Sequence, residues 1–124
     1  MATLFRREDA TPLGLPGRAS FEIVSGRKGA RAVTLRLVEI PGPRAGDAPR
    51  TPHAHMDLEE CIYVLSGAGT TWTETGEFPL KTGDTILLAA GERHVTRNTG
   101  DQPLVLLCFY PGADVISSMR EGPA

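Results

Sequence analysis

Apolar residues recur along this chain in short runs with a two-residue period, and turn residues separate the runs. Over 31–40, Val33, Leu35 and Leu37 share one face of an extended segment, and Thr34, Arg36 and Val38 share the other. The same reading predicts strands at 21–24, 60–65, 85–88, 94–98 and 104–110, with 70–75 and 78–80 paired as a hairpin around Gly76. Breakers stand between them: Pro41-Gly42-Pro43-Arg44-Ala45-Gly46, Gly67 with Gly69, Thr82-Gly83-Asp84 and Thr99-Gly100-Asp101. No long segment follows a 3.6-residue period. The expected fold class is therefore all-β, a sandwich or barrel in one domain. Residues 1–20, broken by Pro12, Gly14, Pro16 and Gly17, are read as a lead-in. Residues 21–113 form the barrel, and 114–124 form a tail with one or two helical turns over 114–120.

Two runs are apolar on both faces. All seven positions of 104–110 are apolar, and in 60–65 Ile62 and Val64 oppose Cys61, Tyr63 and Leu65. A barrel strand needs only one apolar face, so the second face predicts an outside partner, and a homodimer is expected.

Composition narrows the function classes. A net charge of -2 supplies no footprint for nucleic acid. The densest basic stretch, Arg27 to Arg31, reads as a solvated turn. Cys61 and Cys108 sit in apolar runs and are expected to be reduced and buried. The opening MATLFRREDATPLG lacks the apolar stretch of an export signal, and no run reaches the ~18 residues of a membrane span. No membrane partner is expected, and a cytoplasmic location is.

All three histidines fall into one pattern. His53 and His55 are two apart, so on a strand they point to the same side. Glu60 follows five residues after His55, which would place it on the opposite face of an unbroken strand, so a turn at Met56-Asp57-Leu58 must bring it back. His94 arrives from a distant strand. Three neutral imidazoles and one carboxylate leave a divalent ion with a net charge of +1. Such donors suit manganese, iron, nickel, copper or zinc, one ion per chain. Four protein donors leave coordination positions open, which points to chemistry more than to scaffolding.

These residues sit in two stretches that resemble the cupin motifs. The first reads Gly46-DAPRTP-His53-Ala54-His55-MDLE-Glu60-CIYVLS-Gly67, one residue longer in its opening loop than the family pattern. Glu60 keeps the six-residue spacing to Gly67 and Glu59 does not, so the resemblance assigns Glu60 as ligand and leaves Glu59 exposed. The second reads Gly83-DTILL-Ala89-Ala90-Gly91-ER-His94-VTR-Asn98, with Ala89 in place of the family's proline. Fifteen residues, 68–82, join the two. The resemblance implies a double-stranded β-helix, the jelly-roll barrel. It implies metal ligation by His53, His55, Glu60 and His94. Gly67, Gly69, Gly83 and Gly91 are expected at turns or close approaches. Asn98 and Asp84 are expected to stabilise turns, Asn98 also supporting the ligands by hydrogen bonding.

The family spans many reactions, so the fold alone does not select one. The leading expectation is a metal-dependent enzyme on a small organic substrate, an isomerase, cyclase or lyase, with Glu60 doubling as the catalytic proton acceptor. Its pocket is expected to be lined by Ile62, Val64, Trp72, Leu88 and Phe109, with Arg36 and Tyr110 as polar members. The alternatives are a metal-dependent dioxygenase and a non-enzymatic ligand sensor. Metal-free sugar-nucleotide epimerases of this fold lack this ligand set. Dimethylsulfoniopropionate lyases rely on a tyrosine beside the metal. Here Ile62 stands two after the carboxylate and Tyr63 is expected to face away, which leaves Tyr110 for that role.

Overall fold

A computed structural model describes residues 1–42 and 50–121. Gly46, which opens the first motif, lies outside the described residues, as do Pro43 to Ala45 and the last three residues of the tail.

The strands run, in chain order, β1 (Thr11–Pro12), β2 (Ala19–Val24), β3 (Thr34–Ile40), β4 (His53–His55), β5 (Glu60–Ser66), β6 (Ala68–Thr73), β7 (Gly76–Lys81), β8 (Thr85–Leu88), β9 (His94–Asn98), β10 (Leu104–Tyr110) and β11 (Met119–Glu121). Two short 3₁₀ turns, Arg7–Asp9 and Gly26–Lys28, complete the regular elements, and there is no α-helix among the described residues. The strands form a six-stranded sheet ordered β1-β2-β3-β10-β5-β8 and a five-stranded sheet ordered β11-β4-β9-β6-β7. Every pairing is antiparallel. From β3 onward the chain crosses between the sheets at every step except the β6–β7 hairpin. This alternation builds a jelly roll and brings β4, β5 and β9 to one end of it.

Alternation along each strand decides the interior. On β10, Leu104, Leu106, Cys108 and Tyr110 are buried, and on β5 so are Glu60, Ile62 and Val64. Leu104 and Val64 are fully enclosed. The outer residues of these strands remain open: Tyr63, Leu65 and Phe109 are exposed, and Leu87 on the neighbouring β8 is 60% exposed. On β3 the inward face is Thr34, Arg36, Val38 and Ile40, and it carries Arg36.

Two glycines close the packing. Gly67 adopts φ 87°, and a Cβ there would lie 2.6 Å from the Pro103 carbonyl oxygen. Gly69 has ordinary dihedrals, yet a Cβ would meet both the Arg97 carbonyl oxygen and Leu104 Cδ2 at 2.5 Å. Only hydrogen fits at either position.

Several boundaries differ from the sequence reading. The segment expected at 31–40 becomes a strand only at Thr34, and the first long strand begins at Ala19. The lead-in supplies β1, which pairs Thr11 with Glu22 and Pro12 with Phe21. The tail is not helical beyond a turn. Asp114 Oδ1 and Oδ2 accept bonds from the Ser117 amide and hydroxyl at 3.1 and 2.6 Å, and the chain then enters β11 beside β4. The edge of β4 would otherwise leave backbone groups unpaired, so pairing outweighs the helical preference of a short polar stretch.

Candidate metal centre

The site stands where three strands begin. β4 carries His53 and His55, β5 opens with Glu60, and β9 opens with His94. His53 and His94 are cross-strand partners. Met56 and Asp57 form the turn that returns the chain to Glu60, with the Asp57 carboxylate bonded to the Ser118 hydroxyl of the tail. The 89–92 turn is pinned to the same strand, the Gly91 amide donating to the His55 carbonyl at 2.8 Å. It forms without proline at Ala89: the Glu92 amide donates to the Ala89 carbonyl at 3.1 Å, and the Ala89 amide to Glu92 Oε1 at 3.1 Å.

One ligand atom from each of His53, His55, Glu60 and His94 lies within 4.8 Å of all the others, and all but His53 are buried. His94 Nδ1 lies 2.9 Å from the Glu92 carbonyl oxygen, an acceptor that assigns the ring proton to Nδ1. His94 Nε2 then presents a lone pair to Glu60 Oε1 only 3.0 Å away. Two acceptors at that distance call for a cation between them, a proton or a metal ion. His55 gives a second sign. It is 2% exposed, its Nε2 lies 3.4 Å from Glu60 Oε1 outside hydrogen-bond geometry, and neither ring nitrogen has a hydrogen-bond partner. Orphaned buried imidazole nitrogens are costly, and a bound ion satisfies them. The donor set fits a divalent transition metal.

Electrostatics keep the donors ready. Burial pushes the His53 imidazole down to about 3, with the neighbouring His94 adding to the effect, so it is neutral at physiological pH. Burial acts to raise the Glu60 carboxyl, but His55 and His94 beside it hold it well below the usual carboxylate range. For His94, burial acts downward and is outweighed by Glu60, so its pKa is raised.

A pH dependence follows for the metal-free protein. His53 has a folded-state pKa below its ordinary value, so the unfolded chain takes up a proton that the folded chain refuses. Its contribution is present above the ordinary histidine pKa and is lost as pH falls from about 6.5 toward 3. His94 has the opposite sign: its contribution is full below the ordinary value and is lost as pH rises through its raised pKa. In urea unfolding between pH 6.5 and 4, the metal-free protein should therefore lose stability more steeply than His53→Gln. Equal slopes would refute the assignment of that slope to His53.

The cluster opens into a partly open cavity. Of the expected pocket residues, Arg36, Ile62 and Tyr110 line it. Val64 and Leu88 belong to the packed core and do not reach it. Trp72 and Phe109 do not face it. Thr71 and Thr73 take the buried positions of β6, turning Trp72 outward, and Cys108 and Tyr110 do the same to Phe109, which is 40% exposed. Alternation from Tyr110 and Arg36 also places Leu106, Cys108, Val38 and Ile40 on the lining, a signal that was readable in the sequence. Arg18 and Arg50 line it as well, from irregular segments where no periodicity announces them.

Asn98 lies away from the ligands. Its Nδ2 donates to the carbonyls of Ile40 and Gln102 at 3.0 and 2.8 Å, and its Oδ1 accepts from the Gly100 amide at 2.8 Å. Asp84 accepts from the Lys81 amide at 2.9 Å in its turn, and Glu59 is exposed.

The family sequence model described as Cupin domain matches residues 38–110, more than half of the chain. The chain is a cupin. Among curated relatives, it is 38% identical over 60 residues to the uncharacterized protein MJ1618 of Methanocaldococcus jannaschii, covering 48% of each chain. The cupin thus spans about half the length of that relative. Among solved structures, it superposes on the oxalate decarboxylase formate complex of Lactobacillus farciminis with a TM-score of 0.80 and 20% identity, covering 94% of this cupin and 35% of that chain. It superposes on the polyketide cyclase RemF of Streptomyces resistomycificus with a TM-score of 0.76 and 22% identity, covering 98% and 85%. At these identities the superpositions show the shared fold.

Proposed function

We propose that this cupin is a metal-dependent enzyme acting on a small organic substrate by Lewis-acid chemistry of the isomerase, cyclase or lyase type. The observation that carries this reading is the four-residue donor cluster facing a cavity that also holds Tyr110 and Arg36. His53, His55, Glu60 and His94 would hold one divalent ion, manganese, iron, nickel, copper or zinc. When bound, the ion supplies a Lewis acid for a carbonyl, enol or carboxylate oxygen. The chain's own residues supply the rest. Glu60 is kept ionised and serves as the catalytic proton acceptor. Burial and the neighbouring Glu60 push the Tyr110 phenol up, so it stays protonated and donates. Ile62, Val38 and Leu106 give the cavity an apolar wall that limits water. The oxalate decarboxylase and polyketide cyclase on the same fold support an enzyme reading.

We further read the protein as a cytoplasmic homodimer. Both cysteines are free, and no helix among the described residues is long and apolar enough to cross a membrane. Tyr63, Leu65, Leu87 and Phe109 leave a contiguous apolar patch on adjacent strands of the six-stranded sheet, which supports self-association.

The test uses protein purified without added metal. Elemental analysis should find close to one divalent transition metal per chain, light scattering should give twice the 13.3 kDa chain mass, and a panel of small carbonyl and carboxylate compounds should yield turnover without oxygen uptake. Turnover that consumes oxygen would replace this reading with a dioxygenase, and tight ligand binding with no turnover would replace it with a sensor.

A further inference from the structure

The cavity holds more positive charge than a metal centre needs. Arg36 projects from the middle of β3 and is 5% exposed. Its Nε has no hydrogen-bond partner, and no carboxylate among the described residues lies within ion-pair distance of it. Its cross-strand neighbour Glu22 is taken by Arg27 at 2.8 Å. The half-buried Arg18 and Arg50 line the same cavity. Burial lowers both guanidinium pKa values, that of Arg50 to about 10, where the charges of Arg18 and Arg97 add to the effect. Against three guanidinium groups, Glu60 is the one carboxylate of the lining among the described residues, and it belongs to the donor cluster.

A buried guanidinium without an anion is costly, and a fold retains it where a ligand supplies the charge. The spacing says how that charge is distributed. The Tyr110 ring stands 4.9 Å from the His55 ring, and Arg36 Cζ lies 5.4 Å from the Tyr110 ring centre on the six-stranded sheet. Glu60 faces His55 and His94 and makes no ion pair with Arg36, so one anionic group at the donor cluster would leave Arg36 unmatched. We propose that the substrate is a small organic dianion, with one anionic group at the donor cluster and a second gripped by Arg36 and flanked by Arg18 and Arg50. Planar guanidinium forks suit a carboxylate or a phosphoryl group in that second position. This inference rests on the metal-enzyme reading above and specifies its substrate class.

The experiment is calorimetric titration of the full chain, as purified and after saturation with Mn(II). The probes are malonate, succinate and phosphonoacetate, which pairs a carboxylate with a phosphonate, with malonamide as the neutral control. At least one dianion should bind roughly tenfold more tightly than malonamide. The preferred dianion tells whether the second group is carboxylate or phosphoryl. Arg36→Met should remove that advantage while metal content per chain is unchanged. It should also raise the melting temperature of the ligand-free protein, because it deletes an unmatched buried charge. Arg18→Gln is the second variant, should Arg36→Met not fold, and should weaken dianion binding in the same direction. Malonamide binding as tightly as every dianion, or undiminished dianion affinity in the folded variants, would overturn the proposal. Absence of metal from the wild-type chain would instead sink the metal-enzyme reading, and the titration of the metal-free protein would still decide whether Arg36 holds an anion.

Discussion

Replacing His94 by alanine is expected to empty the metal centre while leaving the jelly roll folded. His94 is the point where the two sheets meet at the site: it pairs with His53 across β4 and β9 and reaches Glu60 on β5 at 3.0 Å. Removing a group that merely supports a metal ligand costs about 10–100-fold in affinity, so losing the ligand itself should cost at least about 100-fold. Metal per chain, measured by elemental analysis after dialysis, should fall to a small fraction of the wild-type value, and turnover should fall with it. The backbone should survive, because β9 keeps its pairing with β6 from Gly69–Asn98 to Thr73–His94. A His94→Ala protein that retains wild-type metal content would remove this residue from the donor set. A protein that loses metal only because it unfolds would show itself in the circular dichroism spectrum.

Leu104→Ala should give the largest loss of stability among single truncations of the core. Leu104 is fully enclosed, and its Cδ2 occupies the space beside Gly69 that no Cβ can enter. Neither the Gly69 backbone nor the Arg97 strand can collapse into the vacated volume, because both are fixed by the β6–β9 ladder. The expected cost is about 2–5 kcal/mol, at the upper end if the cavity stays open. Ile116→Ala, at a position 55% exposed, should change stability by less than about 0.5 kcal/mol. Urea unfolding monitored by Trp72 fluorescence measures both. A Leu104→Ala loss no larger than that of Ile116→Ala would mean that the two sheets do not share the tightly packed interior described above.

Both predictions draw on features with different visibility in the sequence. β8, β9 and β10 were readable to the residue, β8 and β10 as short apolar runs that begin after Asp84 and Pro103, and β9 by the Thr99-Gly100-Asp101 turn that closes it. The donor cluster was readable because its spacings obey strand geometry. Two residues put His53 and His55 together, and the odd step to Glu60 demanded a turn that the structure places at Met56 and Asp57. The pocket was less legible. Trp72 and Phe109 are large and apolar, and hydrophobicity alone drew them inward, whereas the threonines of β6 and the cysteine and tyrosine of β10 hold the interior positions.

Local pattern in the amino-acid sequence determined that this chain makes short strands and that His53 and His55 share a side, because side-chain parity within a strand is a property of neighbouring residues, while the resemblance to the two cupin motifs singled out Glu60 and His94 as their partners. Tertiary structure alone decided which face of β6 and β10 looks inward, since β10 is apolar on both sides and the face of β6 that carries Trp72 is the outward one. It alone brought Arg18 and Arg50 beside Arg36, and turned the tail into β11 along the edge of β4. Those placements depend on contacts between residues far apart in the chain, where backbone hydrogen bonds and charge burial act across space and leave no periodic trace.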